Sequence, residues 1–536
     1  MRSQSRCVGS ESAPRCGATA PGTLTNDLTM EGQRPTMTAK LRPYDEPPKR
    51  RMTLIPRGPD NAASLFLAAA VVWFFVATGL GALWAVLQIV PASFGLAIPL
   101  PFSIEFEIVF NPARVLSGFE NTLVYGWLTN AGIAALLFIA PRLAGRQLEF
   151  RGFAFLAWLI WNFATVAGGL GLIYTNFVQD GMLAEYPFLV DGAALTALAL
   201  VNLSFWVTVL PGRGRGADAV LYPSTWYLGV GLLAFTGVYG LASLPADAFW
   251  IYPGIGDSNA ALINAFAVNA IGSFWLLGAA IGALYYVVPR AANAQLYSLG
   301  LAILAFILWL PLAGLYGVAA LIDPVVPYVI TTLGTVGAIL LVAHAFLVVA
   351  NLLGTLSGRW ALLFGRGAIP FAVVSLALIL GTSVIQGIGA LRSVQVLTGP
   401  TVWTVGELVV AGLGAYTFAH LAFADYALPR LFRRAWRPGL LNTILLWTTL
   451  GGAVVGGLAL MFGGIAQGSL IAQSAAPEAI TGTLLIFMVV AAGGLGLAAL
   501  GGATLLTIAF LMYTSGRYAE HALPAGAGAA AAAAGH

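Results

Sequence analysis

Charge is scarce in this chain. Only 9% of its 536 residues are Asp, Glu, Lys or Arg, against about 25% in an ordinary soluble domain. So few ions cannot solvate a globular surface of that size. A soluble enzyme, a nucleic-acid binder and a disordered scaffold are therefore excluded. Lysine is all but missing, with Lys40 and Lys49 both in the polar N-terminal stretch. Cysteine is as rare: Cys7 and Cys16 lie in the same stretch and offer neither a disulfide framework nor a thiolate metal site. What abounds is hydrocarbon, at 59% hydrophobic residues and a mean hydropathy of +0.87. The composition is that of a polytopic membrane protein.

A hydrocarbon core about 30 Å thick needs about 20 apolar residues per helical span. Twelve such stretches are read, near 63–90, 119–140, 153–175, 189–210, 221–244, 259–288, 296–321, 327–352, 369–391, 402–427, 439–463 and 482–513. They are apolar throughout rather than alternating, which excludes a closed barrel. The 64 glycines suit helices that pack closely where lipid supplies no hydrophobic drive between them.

Arginine sets the orientation. Of 25 Lys and Arg residues, 23 fall in the termini or in loops after even-numbered spans, leaving Arg114 and Arg392 on the other side. Acids do the reverse: Glu105, Glu107, Glu120, Asp180, Glu185, Asp247, Asp257, Asp323 and Glu478 lie in or beside loops after odd-numbered spans. The positive-inside rule puts both termini in the cytoplasm and the chain in the cell inner membrane. Residues 1–62 read as a polar, disordered tail without a signal peptide, with Met37 and Met52 as alternative starts. The Lys49-Arg50-Arg51 cluster reads as a topology anchor. Residues 63–514 form the membrane domain, and 515–536 a disordered Ala/Gly-rich tail.

Spans 2, 6 and 10 each end on an aromatic residue, two small or apolar residues and a Pro-Arg pair: Phe138 to Arg142, Tyr286 to Arg290 and Tyr426 to Arg430. Proline stops a helix and arginine anchors its end in the inner headgroups. The recurrence every four spans points to an all-α fold of twelve transmembrane helices in three four-helix arcs.

Three longer stretches carry a family likeness: Gly126-Trp127-Leu128-Thr129-Asn130-Ala131; Val268-Asn269-Ala270-Ile271-Gly272 running on to Pro289-Arg290; and Trp403-Thr404-Val405-Gly406-Glu407 running on to Pro429-Arg430-Leu431. With Ala313-Gly314 and Thr355-Leu356-Ser357-Gly358, these resemble the catalytic subunit of the haem–copper oxidases over roughly residues 115 to 435. The C-type branch, the cb-type cytochrome c oxidases, is nearest, with nitric oxide reductases behind. The resemblance implies two haems and a copper ion held by six histidines. Here the positions that would carry them read Leu128, Val268, Tyr316, Gly317, Glu407 and Val409. The tyrosine that the family cross-links to a copper ligand falls at Leu310, and a glutamate supporting the proximal ligand is matched by Gln386.

Haem iron needs an axial lone-pair donor, and a three-imidazole copper site cannot be built from Val, Tyr and Gly. No cofactor is therefore expected, and haem only if ligands have moved. Of the four histidines, His521 and His536 lie in the tail, while His344 and His420 are intramembrane and are the two candidates for a relocated haem. An isolated intramembrane histidine more commonly bonds a carbonyl or marks a polar cavity. Glu407 reads as the only carboxylate well inside a span, in a polar pocket with Gln386 and Tyr316. It is a proton carrier, a polar anchor, or a simple interhelical contact. Asn130, Asn264, Asn269 and Asn351 read as interhelical glue. Arg114 and Arg392 read as partners of loop acids; the haem space is expected to be filled either by bulky side chains such as Trp275, Trp309 and Trp403 or by lipid.

Three functions follow. The first is a haem-free, non-catalytic structural or accessory subunit of a respiratory electron-transfer complex, surrounded by lipid and docked on cytochromes or a ligated oxidase subunit. The second is a proton, gas or small-molecule conduit through the vacated cavities. The third is an oxidase or nitric oxide reductase with relocated ligands. The first is favoured, because no recognisable substrate site is present.

Overall fold

The computed structural model describes residues 58–90, 94–100, 104–171, 183, 186–210, 222–243, 257–321, 326–365, 367–434 and 439–515. The C-terminal tail and all but the last residues of the N-terminal tail lie outside them, and with them the two cysteines and the Lys49-Arg50-Arg51 cluster.

Twelve helices long and apolar enough to cross a membrane are present among the described residues: α1 (Asn61–Ile89), α2 (Pro112–Ala144), α3 (Arg151–Leu170), α4 (Phe188–Val209), α5 (Pro223–Ala242), α6 (Leu262–Ala291), α7 (Leu299–Ala319), α8 (Tyr328–Thr355), α9 (Ala368–Gly389), α10 (Trp403–Phe432), α11 (Leu440–Ala472) and α12 (Pro477–Thr514). Each expected span has its helix. The second starts earlier than expected because Asn111 caps it: its side chain accepts from the Arg114 backbone N–H at 2.9 Å, with Pro112 in the first turn. Glu120, expected beside a loop, is thereby drawn into α2 and buried. The three Pro-Arg prolines do not stop their helices either; Pro141, Pro289 and Pro429 lie inside the last turn, which runs on for two or three residues.

One element among the described residues is not helical. Strands β1 (Phe94–Leu100) and β2 (Ile104–Phe110) pair antiparallel between α1 and α2, with Leu96 opposite Ile108 and Ile98 opposite Phe106. Alternating Ile and Phe at period two, interrupted by Pro99 and Pro101, is a hairpin pattern that the search for long apolar runs passes over.

Burial divides the helices. The most apolar windows of α2, α6 and α10 are 100%, 89% and 89% buried, whereas those of the other nine are at most half buried. The three inner helices are pillars walled off from lipid. At their arginine-bearing ends they meet through Phe138, Tyr286 and Tyr426, whose rings contact one another edge to face at 6.0–6.4 Å between centroids. Over each ring lies the guanidinium from four residues on, Arg142, Arg290 and Arg430, at 3.6, 4.9 and 3.7 Å. The Arg repeat of the sequence is thus one aromatic hub. Asp60, just before α1, closes a bidentate pair on Arg142 at 2.9 Å.

Each pillar is also opened by a π-helical stretch: Thr122–Thr129, Ile271–Leu276 and Val409–Tyr416. Wider turns pull carbonyls off the regular ladder, and no water reaches them. Side chains take over. Asn130 Nδ2 donates to Gly126 O at 2.7 Å and Trp161 Nε1 to Tyr125 O at 3.1 Å. Trp309 Nε1 reaches Ser273 O at 2.9 Å, and Thr417 and Ser375 hydroxyls reach Gly412 O and Ala415 O at 2.7 Å. Truncating Phe138 to Ala is expected to cost about 3–5 kcal/mol by opening the hub. The same change at Phe163, 66% exposed on α3, is expected to cost less than about 0.5 kcal/mol. Unfolding midpoints in detergent distinguish the two.

Candidate functional site

The six positions where the resemblance implies histidine all fall on the inner helices or on α7. Leu128 is in the first π stretch and fully buried, and Val268 is half-buried just above the second. Tyr316 and Gly317 are buried on α7. Glu407 is half-buried at the acidic end of α10, and Val409 is buried where the third π stretch begins. The donor set is hydrocarbon, phenol, hydrogen and one carboxyl. No group of three or more His, Cys, Asp or Glu side chains is placed to hold a metal ion among the described residues.

Space speaks as well as chemistry. A macrocycle gripped between α2 and α10 needs about 3.5–4.0 Å of contact distance on each of its faces. Instead the two helices touch. A Cβ added to Gly412 would stand 3.3 Å from Leu123 Cδ2 and 3.7 Å from Leu128 Cδ1. One turn lower, Trp127 Nε1 donates to Thr417 Oγ1 across the same seam at 2.9 Å. At Gly412 the seam between α2 and α10 brings leucine against glycine. Trp275 and Trp309 are likewise packed inside, with Trp275 Nε1 on Thr129 Oγ1 at 2.9 Å and its ring stacked on Phe235. Beside Val268 the packing is looser: a Cβ on Gly272 would meet nothing within 4 Å. Neither the donors nor the α2–α10 seam fits a haem, and none fits copper.

Between α7, α9 and α10 a polar pocket does form. The Trp403 indole lies beside the Glu407 carboxyl, and Gln386 from α9 lies beside the Tyr416 hydroxyl. Tyr316 reaches across from α7 close enough to interact electrostatically with both Glu407 and Tyr416. Gly389 is the floor on which the carboxyl rests; a Cβ there would stand 2.8 Å from Glu407 Oε1. The three residues singled out in the sequence are neighbours, joined by Trp403 and Tyr416. Trp403 is thus part of the pocket's lining.

A family model for cytochrome c and quinol oxidase polypeptide I matches residues 61–497. The chain belongs to that family. Among its relatives, the cbb3-type cytochrome c oxidase subunit CcoN1 of Stutzerimonas stutzeri is 26% identical, covering 75% of this chain and 82% of its own. Cytochrome c oxidase subunit 1 of Rhodobacter capsulatus is 25% identical over 67% of this chain and 68% of its own. A solved haem–copper terminal oxidase dimer superposes with a TM-score of 0.65 at 13% identity, over 87% of this chain and 88% of that one, a likeness of fold.

Within this oxidase polypeptide I fold the two intramembrane histidines are held apart by different neighbours. His420 Nδ1 donates to Tyr416 O at 2.7 Å, one more π-stretch carbonyl satisfied, and its ring meets Trp127 of α2 edge to face. His344 Nε2 lies 3.0 Å from the Tyr227 hydroxyl of α5. No described contact brings the two to one site. Arg392 does not pair with a loop acid among the described residues; it stacks 3.7 Å over the Tyr328 ring and hydrogen-bonds Thr331. Asn130 and Asn351 do bridge between elements, to Asn162 of α3 and to Ser298.

Glu407 is not alone among buried carboxyls. Asp191, 1% exposed on α4, accepts the Tyr239 hydroxyl at 2.6 Å, and Glu120 is buried on α2. Both stand near a span end, where sequence position alone reads as interface. Replacing Leu128 and Val409 together by His is expected to give no haem binding when the purified variant is mixed with haem, because the seam stays shut. A Soret band at one haem per chain contradicts that geometry.

Proposed function

We propose that this chain is a haem-free, non-catalytic member of the oxidase polypeptide I family, acting as a structural or accessory subunit of a respiratory electron-transfer complex in the cell inner membrane. One observation carries the reading: Gly412 of α10 faces Leu123 and Leu128 of α2 so closely that an added Cβ would stand 3.3 and 3.7 Å from them, along the seam where two axial ligands would face each other. The donor set supports it independently, since iron and copper bind through lone pairs that leucine, valine and glycine do not have. What persists is a rigid twelve-helix wall with large apolar side chains on its flanks, such as Phe163, Leu189, Ile307 and Ile486. In a multi-pass protein such a wall faces lipid and neighbouring subunits. Cytochromes or a ligated oxidase subunit are the partners this role requires.

The test is a visible spectrum and metal analysis of the purified chain, followed by identification of what co-purifies. The expected result is no Soret absorbance and no stoichiometric copper, with haem-bearing subunits recovered in the same complex. Stoichiometric haem in the isolated chain overturns the proposal and restores an enzyme with relocated ligands.

A further inference from the structure

The Thr355-Leu356-Ser357-Gly358 motif ends α8. Gly358, at φ +74°, takes the left-handed conformation that turns the chain out of the helix. A short 3-10 segment, Trp360–Phe364, follows before α9 begins at Ala368. This turn satisfies its own backbone. Ser357 N–H donates to Gly354 O at 3.1 Å and Arg359 N–H to Leu356 O at 2.9 Å, while Leu362 N–H reaches Arg359 O and Gly365 N–H reaches Leu362 O, both at 3.0 Å. Leu362 and Leu363 are half-buried and pack against the core. The segment is thereby held on the bundle.

Its outward side carries two large rings and a cation. Trp360 is 48% exposed, Phe364 is 91% exposed, and Arg359 beside them is exposed too. Tyr297, also exposed, lies against the last turn of α8: a Cβ on Gly354 would stand 2.7 Å from its ring. Along the spans below, Leu299, Ile303 and Ile307 of α7 and Phe346 of α8 continue an exposed apolar flank. Position decides what covers this patch. It begins four residues past the end of α8, at the end of the bundle that the charge rule assigns to the cytoplasmic leaflet. That depth is the headgroup layer, where amphipathic rings settle. Charge points the same way. No Asp or Glu occurs in sequence between Asp323 and Glu407. Arg359 makes no ion pair, ring contact or side-chain hydrogen bond among the described residues. Asp425, which approaches the start of α9 at 3.9 Å from a Cβ on Gly367, is met instead by Asn442 at 3.4 Å and lies within electrostatic reach of Arg430. The pattern recurs at the α2–α3 turn, where exposed Phe150 and Phe153 stack at 5.3 Å with exposed Arg151 between them in sequence. Glu149 lowers the positive charge there, so the α8–α9 turn is the stronger anion site.

We propose that the α8–α9 turn is a headgroup site for an anionic phospholipid of the inner leaflet, with Arg359 on the phosphate and Trp360 and Phe364 in the glycerol and upper acyl layer. A guanidinium suits phosphate oxygens because its planar fork donates to two of them at once. The rings supply apolar contact to the same molecule, which a free phosphate ion does not use. The apolar flank of α7 and α8 gives the acyl chains a surface to follow. A basic residue close to an anionic leaflet adds about 1 kcal/mol of attraction, and the rings make that attraction specific to this turn. The inference goes beyond the accessory-subunit reading and does not rest on it.

Fluorine NMR of the full chain, labelled with fluorotryptophan and held in phosphatidylcholine nanodiscs, tests this. The Trp360 resonance is the one missing from Trp360→Phe. It is expected to shift when phosphatidylglycerol replaces part of the phosphatidylcholine, and to stay in place when inorganic phosphate is added instead. In Arg359→Gln the shift is expected to be lost, while the resonances of the buried tryptophans keep their positions. The lipid and phosphate arms use the unsubstituted chain, so they decide the matter even where Arg359→Gln folds poorly. No shift with phosphatidylglycerol, an equal shift with inorganic phosphate alone, or an undiminished shift in Arg359→Gln each overturns the proposal.

Discussion

Every carbonyl released by a π stretch in a helix that neither lipid nor water can reach must find a donor. Much of the interior of this protein follows from that single requirement. The three pillars are widened at comparable heights, and indole, amide and hydroxyl groups on neighbouring helices close the gaps: Trp161 and Asn130 for the first, Trp309 for the second, Thr417, Ser375 and His420 for the third. Because the donors come mostly from other helices or from the next turn, the bonds that repair each pillar also register it against its neighbours. An unsatisfied carbonyl in such a place costs more than a bond gained elsewhere returns. His420, which by position alone looks like a candidate ligand, spends its Nδ1 as one of these donors, while its buried Nε2 has no hydrogen-bond partner among the described residues.

The two ends of the pillars differ in kind. The arginine-bearing end is closed by three rings in mutual edge-to-face contact, each covered by its own guanidinium, and Asp60 adds a counter-ion to Arg142. At the acidic end a carboxyl, two phenols, an indole and an amide share a pocket. Between the ends, the α2–α10 seam is a leucine–glycine contact.

Twelve spans were legible because apolar runs of about 20 residues leave few alternatives. The Pro-Arg repeat was legible as periodicity but not as geometry. Nothing in the spacing of Phe138, Tyr286 and Tyr426 says that the three rings touch, since that depends on how three helices cross. The π stretches were invisible, because no residue type demands one. The hairpin at Phe94–Phe110 was missed for being short, and Asp191 for lying near a span end, where depth depends on neighbours rather than on position. At the candidate site, the grouping of Glu407, Gln386 and Tyr316 was readable only through the family alignment. Trp403 and Tyr416 joined it through packing, which an alignment does not record.

An experimental density map of the chain purified from its own membrane, examined at the α2–α10 seam, tests the central claim most directly. The account predicts leucine side chains of Leu123 and Leu128 in contact with Gly412 and unbroken protein density across the seam. Planar macrocycle density between Leu128 and Val409, with the helices spread to admit it, would contradict it.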